Sequence, residues 1–240
     1  MKDFKQTTME IIEKVGCEYE VFTSKNTSQE VEKAYFKALE EGKEKGFMPL
    51  LVVSDDTLAE YLEIMEDEKY SREATLTSNV DAKKFLAENY NEYVEDLEID
   101  EDMLEFMEEA DVEPTEHFMA YQSYRGDGIE EVILFRIPVK EPWELIAWLP
   151  MGGWNECPCP EDMMAVSKYW YEEHGAWIAT VSHDIVEFYV PDKVEDDDKA
   201  MKLAKEMYSF CPDCIEQGMC SLELLKENIK ASNVWFFWWD

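Results

Sequence analysis

Arginine is nearly missing from this sequence. Among 240 residues only Arg72, Arg125 and Arg136 carry a guanidinium, and Lys and Arg together number 22 against 56 Asp and Glu. The formal net charge is −34. Nucleic-acid binding needs clustered cations to meet phosphates, so the sequence argues against that class, and against an anionic membrane surface for the same reason. A basic protein partner is the class this charge favours, because so strong a field speeds the encounter. Long apolar runs are missing too. No stretch reaches the roughly 18 apolar residues of a spanning helix, and the opening Met1-Lys2-Asp3-Phe4-Lys5-Gln6 has no apolar signal core. Six cysteines are too sparse for a disulfide scaffold. Reduced thiols and a cytoplasmic location are expected.

What is present is enough for a full core. A hydrophobic content of 46% with 13% aromatics excludes disorder despite the charge. The richest stretch is the last, Val234-Trp235-Phe236-Phe237-Trp238-Trp239-Asp240. Alternate residues of a strand point to opposite faces, and here both faces are apolar. Cover above and below is implied, so the sequence predicts a C-terminal strand central in the sheet.

Residues 3–15 carry a helical apolar stripe. Tyr19 to Phe22 reads as a strand, Ser28 to Lys45 as a helix stopped by Gly46, and Met48 to Val53 as a second, fully buried strand. Together they make an N-terminal βαβ unit with parallel strands. Asp55-Asp56 reads as the acidic opening of the next helix, a metal pair being the alternative. No Lys or Arg occurs between Lys84 and Arg125, and residues 67–127 read as an acidic helical insertion, with Met103, Leu104, Phe106 and Met107 on a packed face. A calcium loop starting at Asp96 is excluded, because its sixth position is Glu101 rather than Gly and its twelfth is Met107 rather than Glu. Glu131 to Ile137 is a strong strand. Trp177 to Val181 and Ile185 to Val190 form a hairpin around Ser182-His183-Asp184. The reading is an α+β (or α/β) protein with a mixed β-sheet of about six strands covered by helices. It divides into a βαβ part at 1–66, the insertion at 67–127, and a C-terminal part at 128–240 packed with 1–66 as one domain.

Five C-terminal motifs stand out: Gly152-Gly153-Trp154-Asn155-Glu156-Cys157-Pro158, Tyr169-Trp170-Tyr171, His183-Asp184 ahead of Glu187, Phe210-Cys211-Pro212-Asp213 with Gln217-Gly218, and the closing aromatic run. In order and spacing they resemble those of one bacterial family, the domain of unknown function 4253. The resemblance is strongest over residues 130–240. It implies a shared fold and a soluble intracellular bacterial protein, and it brings no activity. The family pattern has cysteine at the positions of Cys157 and Cys211, but not typically at those of Cys159 and Cys214.

The candidate sites follow from these motifs. In the loop Trp154-Asn155-Glu156 the neighbouring glycines let the backbone approach a partner, with polar groups beside an aromatic wall. It is the ligand- or partner-binding candidate. A catalytic arrangement would use Cys157 as nucleophile and His183 as base, with Asp184 or Glu187 orienting the imidazole. Cys157, Cys159, Cys211 and Cys214, with Cys220 nearby, are the one set with the composition of a four-thiolate zinc site, although the one-residue gap closed by Pro158 is atypical. No cofactor is implied, and the oligomeric state is left open. The expected role is a protein-binding module with an acidic surface that engages a basic partner. The alternative is an enzyme using the Trp154–Cys157 loop and His183.

Overall fold

The computed structural model describes residues 4–67, 70–93, 112–123 and 128–240. Its centre is one mixed six-stranded sheet. The strands are β1 (Glu18–Phe22), β2 (Met48–Ser54), β3 (Glu131–Ile137), β4 (Trp177–Val181), β5 (Ile185–Tyr189) and β6 (Val234–Trp238). They lie in the order β1-β3-β2-β4-β5-β6. β2 and β4 are parallel neighbours, and every other pair is antiparallel. The helices are α1 (Gln6–Val15), α2 (Ser28–Lys45), α3 (Leu58–Glu66), α4 (Arg72–Thr77), α5 (Ala82–Tyr93), α6 (Pro160–His174), α7 (Asp197–Phe210) and α8 (Leu222–Ala231). A 3-10 turn spans Pro142–Ala147 and a π-helical turn Cys214–Met219. The packed face predicted for residues 103–107 lies outside the described residues. Among the described residues no helix is long and apolar enough to cross a membrane.

Local chemistry sets many of the boundaries. Thr27 and Glu30 form a reciprocal capping box at the start of α2, and Gly46 ends it in a left-handed conformation (φ 75°) that favours glycine. Asp196 accepts from the Lys199 amide to start α7, and Ser221 does the same from Leu224 for α8.

The sheet separates two apolar layers. Leu50 and Val52 of β2, with Ile133, Phe135 and Ile137 of β3, face a large core built with α1, α3, α5, α6 and α7. Leu51, Val53, Val132 and Leu134 face a smaller one closed by Val31, Tyr35 and Ala38 of α2 and by Phe118 and Tyr121. Two-sided burial is why these strands read as unbroken apolar runs.

Two expectations need correction. β1 and β2 do run parallel, but β3 is inserted between them, antiparallel to both. β3 is apolar on both faces and takes an interior position, whereas β1 is exposed over its first three residues and suits the rim. The C-terminal strand is not central either: β6 pairs only with β5 and forms an edge. Trp235, Phe237 and Trp239 are buried on one side, where the Trp170 ring lies 5.8 Å from Trp235 and 5.6 Å from Phe237. Phe236 and Trp238, on the other side, are only half-buried. Their cover is a cleft, not a helix layer.

Candidate functional site

β2 and β4 run side by side, and the chain leaves both at the same end of the sheet. Crevices at the carboxyl ends of parallel strands are where open sheets with helices bind ligands. After β2 come Asp55, Asp56 and Thr57. After β4 comes the turn Ser182-His183-Asp184.

Hydrogen bonds fix this turn. Ser182 Oγ donates to Asp184 Oδ1 (2.8 Å) and accepts from the Ile185 amide (2.9 Å). Asp184 Oδ2 accepts from the Trp238 indole at 3.0 Å, and the Asp184 carbonyl accepts from the Trp239 amide at 3.1 Å. The aromatic terminus is thereby tied to the hairpin.

His183 lies flat against Trp154, with ring centroids 4.9 Å apart and planes 12° from parallel. Its Nε2 is 3.2 Å from Glu60 Oε2 on α3. The Trp154 loop is shaped by Gly152 (φ 85°), where an added Cβ would lie 2.0 Å from the Pro158 carbonyl oxygen. Two backbone bonds close it, Gly153 N to Cys157 O and Cys157 N to Trp154 O, both 3.0 Å. Asn155 adopts a positive φ of 44° and donates through Nδ2 to the Asp240 carbonyl oxygen at 2.6 Å. Glu156 is exposed.

The structure thus brings the Trp154-Asn155-Glu156 loop, His183 and Asp184 to one end of the sheet but sets the cysteine thiols and Glu187 in different surroundings. Cys157 is buried, and burial pushes its thiol well above the usual range, with Cys211 and Asp184 adding to the effect. A thiol so placed stays protonated at neutral pH and is a poor nucleophile. Glu60, not Asp184 or Glu187, is the partner of His183. Glu187 is buried beneath the 112–123 segment, accepting at Oε1 from the amides of Met119 (2.6 Å) and Ala120 (3.2 Å). Two of the other three cysteines donate hydrogen bonds. Cys211 donates to the Trp238 carbonyl oxygen at 3.1 Å. Cys159 donates to Asp162 at 2.9 Å, and burial followed by that bond pushes its thiol up to about 12. Burial also raises the Cys214 thiol. Among the described residues no three His, Cys, Asp or Glu side chains are placed to hold a metal ion.

The larger feature is a cleft of about 990 Å³ beside the turn. Asp55, Asp56 and Asp184 line it with Glu130, against Phe236 and Trp238 of β6. Asp55 is held by Thr57, whose amide (2.9 Å) and hydroxyl (2.7 Å) both donate to its Oδ1. Burial, reinforced by Asp184, raises its carboxyl above the usual range against the pull of those two bonds. Lys5 reaches the rim, 3.5 Å from Glu130 Oε2. A second hollow lies on the far side of His183 and Trp154, lined by Glu60, Glu63 and Glu66. The whole end of the sheet is acidic with aromatic walls, a chemistry suited to a cation with an apolar stem.

Reading the sequence as a helix start hides the role of Asp55 and Asp56, since α3 begins only at Leu58. Their signal was available: two acids directly after an all-apolar strand. Phe236 and Trp238 become recognisable as cleft walls only once β6 is known to be an edge.

No curated protein and no solved structure matches the chain. Trp154, His183, Asp184, Phe236 and Trp238 all fall within residues 133–240, which match the family model described as a domain of unknown function, DUF4253.

Proposed function

We propose that this chain is a binding protein whose cleft at the carboxyl ends of β2 and β4 receives a cationic side chain, Lys or Arg, of a basic protein partner. The observation that carries the reading is the pairing of four carboxylates, Asp55, Asp56, Glu130 and Asp184, with the half-buried rings of Phe236 and Trp238 in one cleft. An alkyl stem or guanidinium face packs on the rings while the carboxylates meet the charge. The net charge of −34 supports the same partner, since it draws cations toward the molecule and repels nucleic acid. Six free thiols suit a reducing setting, the cytoplasm.

The test is a titration of the full chain with a short peptide alternating Arg and Phe, followed by tryptophan fluorescence. Saturable binding is expected at low salt, weakening at least about tenfold at roughly 0.5 M salt, where the screening length falls to a few ångströms. Asp56→Lys should weaken it similarly, because Asp56 is exposed and its reversal leaves the fold intact. Equal affinity in D56K, or equally tight binding of the matching Glu–Phe peptide, refutes the reading.

A further inference from the structure

Where α5 packs against α6 and α7, three lysines converge. A pocket of about 320 Å³ lies there, rimmed by Lys83, Lys202 and Lys205. The ammonium groups gather over two tyrosine rings. Lys83 Nζ is 4.9 Å and Lys202 Nζ 5.4 Å from the centroid of Tyr169, and Lys205 Nζ is 5.8 Å from that of Tyr90. Leu86, also in the lining, is buried.

Among the described residues a single carboxylate, Glu206, lines this pocket, and its oxygens are engaged. Oε1 accepts from the Tyr169 hydroxyl at 2.8 Å and Oε2 from the Trp170 indole at 3.2 Å, while Lys202 Nζ lies 3.2 Å from Oε1. Glu206 therefore answers the charge of Lys202. Lys83 has only a 3.9 Å approach to Glu173, with both side chains largely in solvent. Lys205 has no carboxylate within ion-pair distance among the described residues. Three ammonium groups thus face one carboxylate in a chain with 22 bases and 56 acids. Gathering like charges is unfavourable by itself. An anion entering between Lys83 and Lys205 would relieve that repulsion, and the faces of Tyr90 and Tyr169 offer stacking to a planar group attached to it. At the small end of the usual range of ligand sites, roughly 300–1,000 Å³, the volume suits a single ring and its head group.

We propose that this pocket binds a small anion carried on an aromatic ring, an aryl phosphate or aryl carboxylate. The site is separate from the acidic cleft and independent of what that cleft binds. The overall negative field opposes the approach of an anion over long distances, so binding is best measured near 0.15 M salt, where a screening length of about 8 Å removes that field and spares contacts inside the pocket.

The full chain is titrated calorimetrically with phenyl phosphate, benzoate and inorganic phosphate. At least one aryl anion should bind with a Kd below about 1 mM, with inorganic phosphate at least about tenfold weaker. The tighter of the two aryl probes identifies the head group. K83E/K205E should lose at least about tenfold in affinity for it while melting as the parent does, because both lysines are exposed. If the reversal disturbs the fold, K83Q/K205Q removes the same charges without adding any. No saturation by either aryl anion up to about 10 mM, unchanged binding in the lysine variants, or inorganic phosphate binding as tightly as the aryl probes would each overturn the proposal.

Discussion

Glu187 sits on β5 with its side chain in the smaller core, fully buried. Its Oε1 accepts from the amides of Met119 and Ala120. Its Oε2 makes no hydrogen bond of good geometry among the described residues, and neither does the hydroxyl of Thr180 directly across the strand pair, although that hydroxyl is near enough to favour the charged carboxylate. Burial pushes the carboxyl up to about 7, against the pull of the Met119 amide, the Thr180 hydroxyl and the Ala120 amide, and nearby Glu32 raises it slightly further. Glu32 is itself engaged, accepting from the Phe118 amide at 2.9 Å and lying 3.0 Å from His117 Nδ1. In the unfolded chain Glu187 titrates near 4.5. Between those two values the folded protein holds a proton that the unfolded chain has released, so stability must fall as pH rises through this window. A carboxyl at about 7 rather than 4.5 corresponds to about 3 kcal/mol lost once the pH is above both values.

Glu187→Gln removes this dependence. The amide has the same shape and stays neutral, and its oxygen still accepts from Met119 and Ala120. At pH 5 E187Q should match the parent to within about 1 kcal/mol, and at pH 8.5 it should be the more stable by about 3 kcal/mol. At roughly 2–4 °C per kcal/mol for a chain of this size, that is about 6–12 °C in melting temperature. Both proteins carry dozens of other titrating acids, so the quantity to follow is the difference between their urea or thermal unfolding curves. A difference that stays constant from pH 5 to 8.5 would refute the assignment of Glu187 as a buried, under-partnered acid. A difference that shrinks with pH would reverse its sign.

Other parts of the structure make their own predictions. Gly152→Ala places a Cβ against the Pro158 carbonyl in a left-handed backbone, and should destabilise by at least about 2 kcal/mol in denaturant melts. Normal stability in G152A would mean that the loop is not held as described. Trp238→Phe removes the indole donor to Asp184 and should cost about 1–2 kcal/mol, with the largest increase in hydrogen exchange at the Trp239 amide. Cys157 should react with a thiol reagent far more slowly than a free thiol until the protein is unfolded; native-state labelling at the free rate contradicts its burial. Deleting residues 235–240 removes three buried rings worth roughly 11–19 kcal/mol as an upper bound, against a net stability of about 5–15, so the shortened chain should show no cooperative melt.

The features legible in the sequence are those fixed within a few residues. The Gly46 stop, the two-sided apolar runs of β2 and β3 and the hairpin around His183 depend on neighbours that the sequence displays together. Trp154, His183 and Asp184 stand out for the same reason: Gly and Pro punctuation marks the loop, and histidine is scarce. What joins distant segments leaves no such trace. Glu187 meets Met119 across 68 positions of sequence, and a lone acid in a strand gives no hint of that partner. Lys83 lies on α5 and Lys202 and Lys205 on α7, so their convergence appears only when the helices pack.

The placement of β6 illustrates the limit most clearly and ties the fold to the candidate site. Alternation along residues 234–239 establishes that both faces of the strand are shielded from water to some degree, but periodicity carries no information on what shields them. A central β6 would have helices on both sides and no surface to offer. At the edge, Trp235, Phe237 and Trp239 complete the core around Trp170, while Phe236 and Trp238 are left half-buried beside Asp55, Asp56 and Asp184. Such a row of rings is the kind of edge that invites pairing with another chain. β6 limits that hazard by being five residues long and by running into Asp240, whose amide is bound by Asp213. The same strand therefore stabilises the fold through one face and lines the cleft through the other, which its place at the edge allows.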